Sequence, residues 1–176
     1  MDGTAYLTSV TQRLHSLREQ CDKALAQVPS EQWSLRLDAE SNSLVTLILH
    51  LAGNMLSRWT DFLTSDGEKP ERNRDAEFED PERLTQPALL ARWEAGWACL
   101  FEALAPLTDA DLERTVTIRG EPHTVVDAIG RQLAHYAFHT GQMVFLAKHL
   151  AGPEWQSLSV PRRGSAAYNA ALGHNR

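Results

Sequence analysis

Two cysteines in 176 residues, Cys21 and Cys99, are too few and too far apart to staple a fold. Both fall in helical patterns, so a disulfide framework is not expected and both read as buried free thiols. Cations are also in short supply: 17 Lys and Arg against 23 Asp and Glu leave a net charge of -6, with no basic block anywhere. Such a chain repels polyanions, which excludes nucleic acid as an expected partner. No run approaches the roughly 18 consecutive apolar residues of a membrane span. The opening MDGTAYLTSV has neither the basic region nor the apolar core of a secretion signal. The expectation is a cytoplasmic protein without a membrane partner. Internal repeats and low-complexity tracts are absent too.

What is present is enough apolar material, 43% of the chain, for one domain with a full core over residues 1–176. Helical periodicity predicts four long helices at about 4–27, 43–64, 86–104 and 125–151. The first carries Leu7, Val10, Leu14, Leu17, Cys21 and Leu25 on one face and stops before Pro29. Ser41, Asn42 or Ser43 can cap the second. Thr85 precedes the third, whose stripe Leu90, Trp93, Trp97, Leu100, Phe101 and Leu104 is read as core. Thr124 and Asp127 open the fourth, and Gly152-Pro153 closes it. Residues 115–118 (TVTI) followed by Gly120 alternate like a strand entering a turn, so a small hairpin is expected between helices three and four. The fold class expected is all-α: a four-helix bundle with that hairpin added.

Two segments are expected to stay outside this plan. Residues 65–84 hold eight acidic and four basic side chains, which is too polar for a buried element and predicts a long charged loop. Residues 154–176 show no sustained period and read as an irregular extension, with Trp155, Leu158 and Tyr168 able to pack back on the helices.

The residues that carry chemistry are histidines. His135 and His139 lie four apart on the fourth helix, one above the other on one face, where two imidazoles can reach one ion. His50 interrupts the apolar run LVTLILHLAG, where an imidazole without a polar partner would be costly. Turning about 100° per residue, helix two groups Asn54, Ser57 and Asp61 with His50, and helix four groups Arg131, Gln132, His135, His139, Gln142 and His149. Three neutral nitrogens with an open position describe a catalytic metal site, while the plainer alternative is a hydrogen-bonded polar seam. Asn54 and Gln142, each within a turn of a ligand, are candidates to accept the rings' outward N–H groups. His149 lies about 15 Å along the axis from His139, too far to join. His15, His123 and His174 have no partner spacing. Asp61, about 16 Å along the axis from His50, is a poor general base and is expected to pair with an arginine.

The segments LILHLAGNMLSRWTDFLTSDGEKPERNRDAEFED and AHYAFHTGQMVFLAKHL, with a closing PRRGSAAYN, resemble the DinB/YfiT superfamily and, within it, the DUF1572 branch. The similarity runs along nearly the whole chain in the family's order. It implies a four-helix bundle whose metal is held by one histidine of the second helix and two of the last, which correspond to His50, His135 and His139. It further implies zinc or nickel as the divalent ion, a homodimer, and activities such as thiol transfer with a low-molecular-weight thiol, thiol-dependent isomerisation or metal-dependent hydrolysis.

Three functions follow as expectations: a metal-dependent S-transferase with a thiol cosubstrate, a metal-dependent hydrolase, and a non-catalytic metal-binding protein of stress responses. Thiol transfer is favoured because no carboxylate base is evident near the histidines, and the substrate is expected to be a small molecule. The loop stretch EKPERNRDAEF shares in the resemblance. On composition it reads as a solvated connector, against which stands the expectation that Arg72 and Arg74 meet an anionic group of the substrate. The four tryptophans Trp33, Trp59, Trp93 and Trp97 are expected to lend surface to a dimer.

Overall fold

Capping sets where the helices begin. In the computed structural model, which describes residues 2–79 and 84–173, the Asp2 carboxylate accepts from the N–H groups of Thr4 and Ala5 and opens α1 (Gly3–Leu25). Ser43 Oγ accepts from Thr46 N and opens α2 (Leu44–Trp59). Thr85 and Thr124 do the same for α3 (Gln86–Leu104) and α4 (Val125–Ala151). Gly152, at φ 55, ends α4 in a conformation that disfavours a side chain.

Thirteen of the sixteen residues of α2 are buried, because this helix packs against α3 on one side and α4 on the other, while α1 lies on α4 and α3. Gly96 brings α3 close to α2: a Cβ there would sit 3.0 Å from Ala52 Cα. The core is led by Trp59, Trp93, Trp97 and Tyr136, all essentially fully buried. Trp59, Trp93 and Tyr136 hydrogen-bond through their polar atoms, as burial demands, whereas Trp97 Nε1 is buried without a partner. Trp93 Nε1 donates to Asp22 Oδ1 at 2.8 Å, and Trp59 Nε1 donates to Tyr136 Oη at 2.9 Å. Trp33 is buried as well, at 5% exposure, so all four tryptophans expected to serve a dimer are spent inside the chain.

Helix two is shorter than its periodicity predicts. It ends at Trp59, and Asp61 then adopts φ 50, with Thr64 N and Ser65 N closing a turn on Asp61 O. Aspartate tolerates this left-handed backbone better than most residues. Phe62 still reaches the core from the turn, which is why the apolar pattern outlasts the helix.

The expected hairpin is present. β1 (Thr115–Ile118) pairs antiparallel with β2 (Glu121–Thr124) through a two-residue turn, Arg119-Gly120, both at positive φ. Its turn N–H groups donate to the Asp66 carboxylate at 2.9 and 2.8 Å, and Gly67 N donates to Thr117 O at 2.7 Å. The charged loop after α2 is therefore pinned to the hairpin. The expectation that it is too polar to contribute buried groups fails at Gly67 and Glu77. Its residues 80–83 lie outside the described residues.

The C-terminal stretch is not wholly irregular, since a seven-residue helix, α5 (Ser165–Ala171), forms within it. Trp155 and Leu158 pack on the core, whereas Tyr168 stays 45% exposed. No helix among the described residues is long and apolar enough to cross a membrane.

Candidate metal centre

An imidazole buried in the middle of α2 needs polar company, and the fold supplies it from two directions. The ring of His50 lies 4.9 Å from that of His139 and 5.3 Å from that of His135, which are themselves 4.6 Å apart. One ligand nitrogen from each falls within 4.8 Å of the others, a group that could hold a metal ion. His50 and Asn54 of the stripe expected on helix two thus share a cleft with Gln132, His135, His139 and Gln142 of helix four, whereas Ser57 and Asp61 line a neighbouring cavity.

The outward nitrogens are fixed. His50 Nδ1 meets Glu77 Oε2 at 2.9 Å, and His139 Nδ1 meets Gln142 Oε1 at 2.8 Å. A carboxylate and an amide oxygen only accept, so each ring turns Nδ1–H to its partner and leaves Nε2 as the nitrogen available to ligate. That is how a ligating imidazole is oriented. His135 Nε2 is buried without a hydrogen-bond partner, a state that costs about 1–3 kcal/mol unless something accepts the lone pair. Burial, then the proximity of His139 and His50, pushes the pKa of His135 down to about 3. Burial lowers that of His139 as well. Three imidazoles, two of them oriented by these hydrogen bonds and one unsatisfied, are a donor set suited to a borderline-soft divalent ion.

Gln142 stands where the sequence places it. Asn54 does not touch a histidine through its carboxamide oxygen: Oδ1 accepts from Tyr136 Oη at 3.0 Å, extending the Trp59–Tyr136 chain. The partner of His50 is Glu77, a residue that the periodicity of the helices could not single out. Gly53, one turn beyond His50, was the available signal. A Cβ there would lie 2.2 Å from Glu77 Oε1, so the glycine makes room for the carboxylate to approach α2.

Glu77 also receives Arg72, whose Nε and Nη2 donate to its two oxygens at 2.8 Å each. Burial acts to raise the Glu77 pKa, but the hydrogen bonds from His50 and Arg72 outweigh it and hold the carboxyl below its ordinary range. Of the two loop arginines, Arg72 is committed to Glu77, and Arg74 lies over the Phe78 ring, 4.8 Å from its centroid. Phe78 in turn packs 4.8 Å from the His50 ring. Around these groups opens a cleft of about 460 Å³, walled by the three histidines, Asn54, Gln132, Gln142, Phe78, Phe138 and five arginines. A larger cavity of about 760 Å³ shares Arg72 with it, includes Asp61 and Arg92, and contains none of the histidines.

The remaining histidines stand apart. His15 stacks on Phe101, His123 Nδ1 contacts Asp127 Oδ2 at 2.6 Å, His149 is exposed near the end of α4, and His174 lies outside the described residues. Asp61 makes no ion pair with an arginine among the described residues, contrary to expectation, because the turn that ends α2 carries it to the surface.

A family model described as "Protein of unknown function (DUF1572)" matches residues 2–164. Comparison with curated proteins finds no match.

Proposed function

Since the chain belongs to the DUF1572 family, whose description assigns no activity, we propose from the site itself that the protein is a metal-dependent S-transferase using a low-molecular-weight thiol. In this reading the fold is a four-helix bundle of the DinB/YfiT type. His50, His135 and His139 hold one divalent ion, zinc or nickel, which when bound acidifies a thiol and acts as a Lewis acid.

The observation that carries the reading is the wall of the cleft: three imidazole donors and, among the described residues, no aspartate or glutamate. Metal-dependent hydrolysis wants a carboxylate free to take a proton from water. Glu77 is close but stands behind His50, with both oxygens occupied by His50 and Arg72. It positions the His50 ring and does not serve as a free base. A thiol needs no such base when its anion is stabilised by its surroundings, and the cleft arginines lower the cost of a thiolate. Phe78 and Phe138 give the cleft an apolar side that limits water and can seat the electrophile.

The test is direct. Purified protein is expected to carry one equivalent of zinc or nickel and, with that metal, to consume thiol in the presence of at least one member of an electrophile panel. His50→Ala and His135→Ala should lose both the metal and the turnover, and chelation should lower the wild-type melting temperature. Unchanged metal content in both variants would refute the site. Metal-dependent release of product from an ester or amide panel without thiol would favour the hydrolase.

A further inference from the structure

The histidine cleft is electrostatically unlike the rest of the molecule. Arg58, Arg72, Arg74, Arg119 and Arg131 line it, and among the described residues no carboxylate does, in a chain whose net charge is -6. Two glutamates touch these arginines from behind. Glu68 takes Arg58 and Arg119 at 2.9 and 3.0 Å, and Glu77 takes Arg72. Among the described residues, five positive charges against two negative leave an excess of three. Among the described residues neither Arg74 nor Arg131 has a carboxylate partner.

Both unpaired guanidinium groups belong to residues tied to the histidines. Arg131 is exposed on α4, four residues before His135 and eight before His139, so the three share one helix face. Arg74 lines the same cleft from the loop after α2, held on Phe78, whose ring packs on His50. Like charges gathered around one concavity repel and focus a positive potential into it. The group that relieves this best is an oxyanion, which a guanidinium fork binds through two parallel N–H bonds.

We infer, building on the reading of the cleft as a metal-centred site, that its substrate carries a carboxylate or phosphate group bound directly by Arg131 and Arg74. The oxyanion anchors one end of the molecule while the reacting end faces the three histidines. Arg72 takes no direct part, because its fork is filled by Glu77.

The inference is tested by calorimetric titration of inorganic phosphate and of succinate into wild type, Arg131→Gln, Arg74→Gln and the control Arg92→Gln. Each protein is titrated metal-free and again after one equivalent of Zn²⁺, with metal content measured on the same samples. Wild type is expected to bind at least one of the two anions, and the preferred one identifies the class. Arg131→Gln and Arg74→Gln should weaken that binding tenfold or more without loss of zinc, and Arg92→Gln should leave it unchanged. The inference is overturned if wild type binds neither anion, if Arg131→Gln binds as wild type does, or if Arg92→Gln weakens binding as much as the cleft variants. Failure to take up zinc would instead strike the metal reading alone, since the metal-free titration still decides the anion site.

Discussion

Glu77 holds two groups at once, the Nδ1–H of His50 and the guanidinium of Arg72, at 9% exposure. Glu77→Gln keeps an acceptor of similar shape but removes the charge, and the loss of such a supporting partner typically costs a metal site about 10–100-fold in affinity. Chelator competition should read that drop while circular dichroism shows the fold intact; wild-type affinity would deny Glu77 this role. Glu77→Ala is harsher, since the Arg72 side chain keeps only Glu68, 3.6 Å away, and should lower stability in urea melts by more than Glu77→Gln does. The cysteines make a second contrast at this scale. Burial pushes the Cys21 thiol up to about 12, and its Sγ lies against Thr140. Cys99 is only partly buried. A neutral alkylating reagent near pH 8 should label Cys99 alone in the native protein and both after denaturation, as mass spectrometry would show; rapid native labelling of Cys21 would contradict its burial.

At the scale of an element, two helical glycines make opposite predictions from one substitution. Gly130 in α4 has no atom within 4 Å of an added Cβ, so Gly130→Ala should gain up to about 1 kcal/mol from the reduced backbone freedom of the unfolded chain. At Gly53 in α2 the same methyl would strike Glu77 Oε1. Gly53→Ala should therefore destabilise the protein and weaken its metal binding, because the carboxylate is driven off His50. Thermal melts with and without zinc separate the two, and a stabilised Gly53→Ala would show that Glu77 can approach by another route. The same element scale explains why α2 is mis-measured from its pattern. Phe62 continues the apolar spacing, yet the chain turns at Asp61.

For the whole molecule, association remains the proposal that the tryptophans cannot support, as all four are internal. The exposed large apolar residues that share an element are Phe138 and Phe145 of α4, at 64% and 67% exposure and two turns apart. A homodimer through this face should give a light-scattering mass of twice 19.7 kDa, and Phe145→Lys should return it to one chain. A wild-type mass of 19.7 kDa across a wide concentration range would dismiss the dimer.

The helices, their caps at Ser43, Thr85 and Thr124, the hairpin and the three histidines were legible in the sequence. Each is written in local spacing: a period of 3.6 or 2, a capping hydroxyl, a turn glycine, an i, i+4 pair. Local spacing has no means of stating which loop residue returns to a helix. Glu77 reaches His50 across 27 residues of chain, and Asp66 and Glu68 reach Arg119 across more than 50. These contacts were decided only when α2, the loop and the hairpin packed together. Burial there required Glu77, Arg58 and Arg72 to find partners, whereas the exposed Arg74 and Arg131 line the cleft without a carboxylate among the described residues.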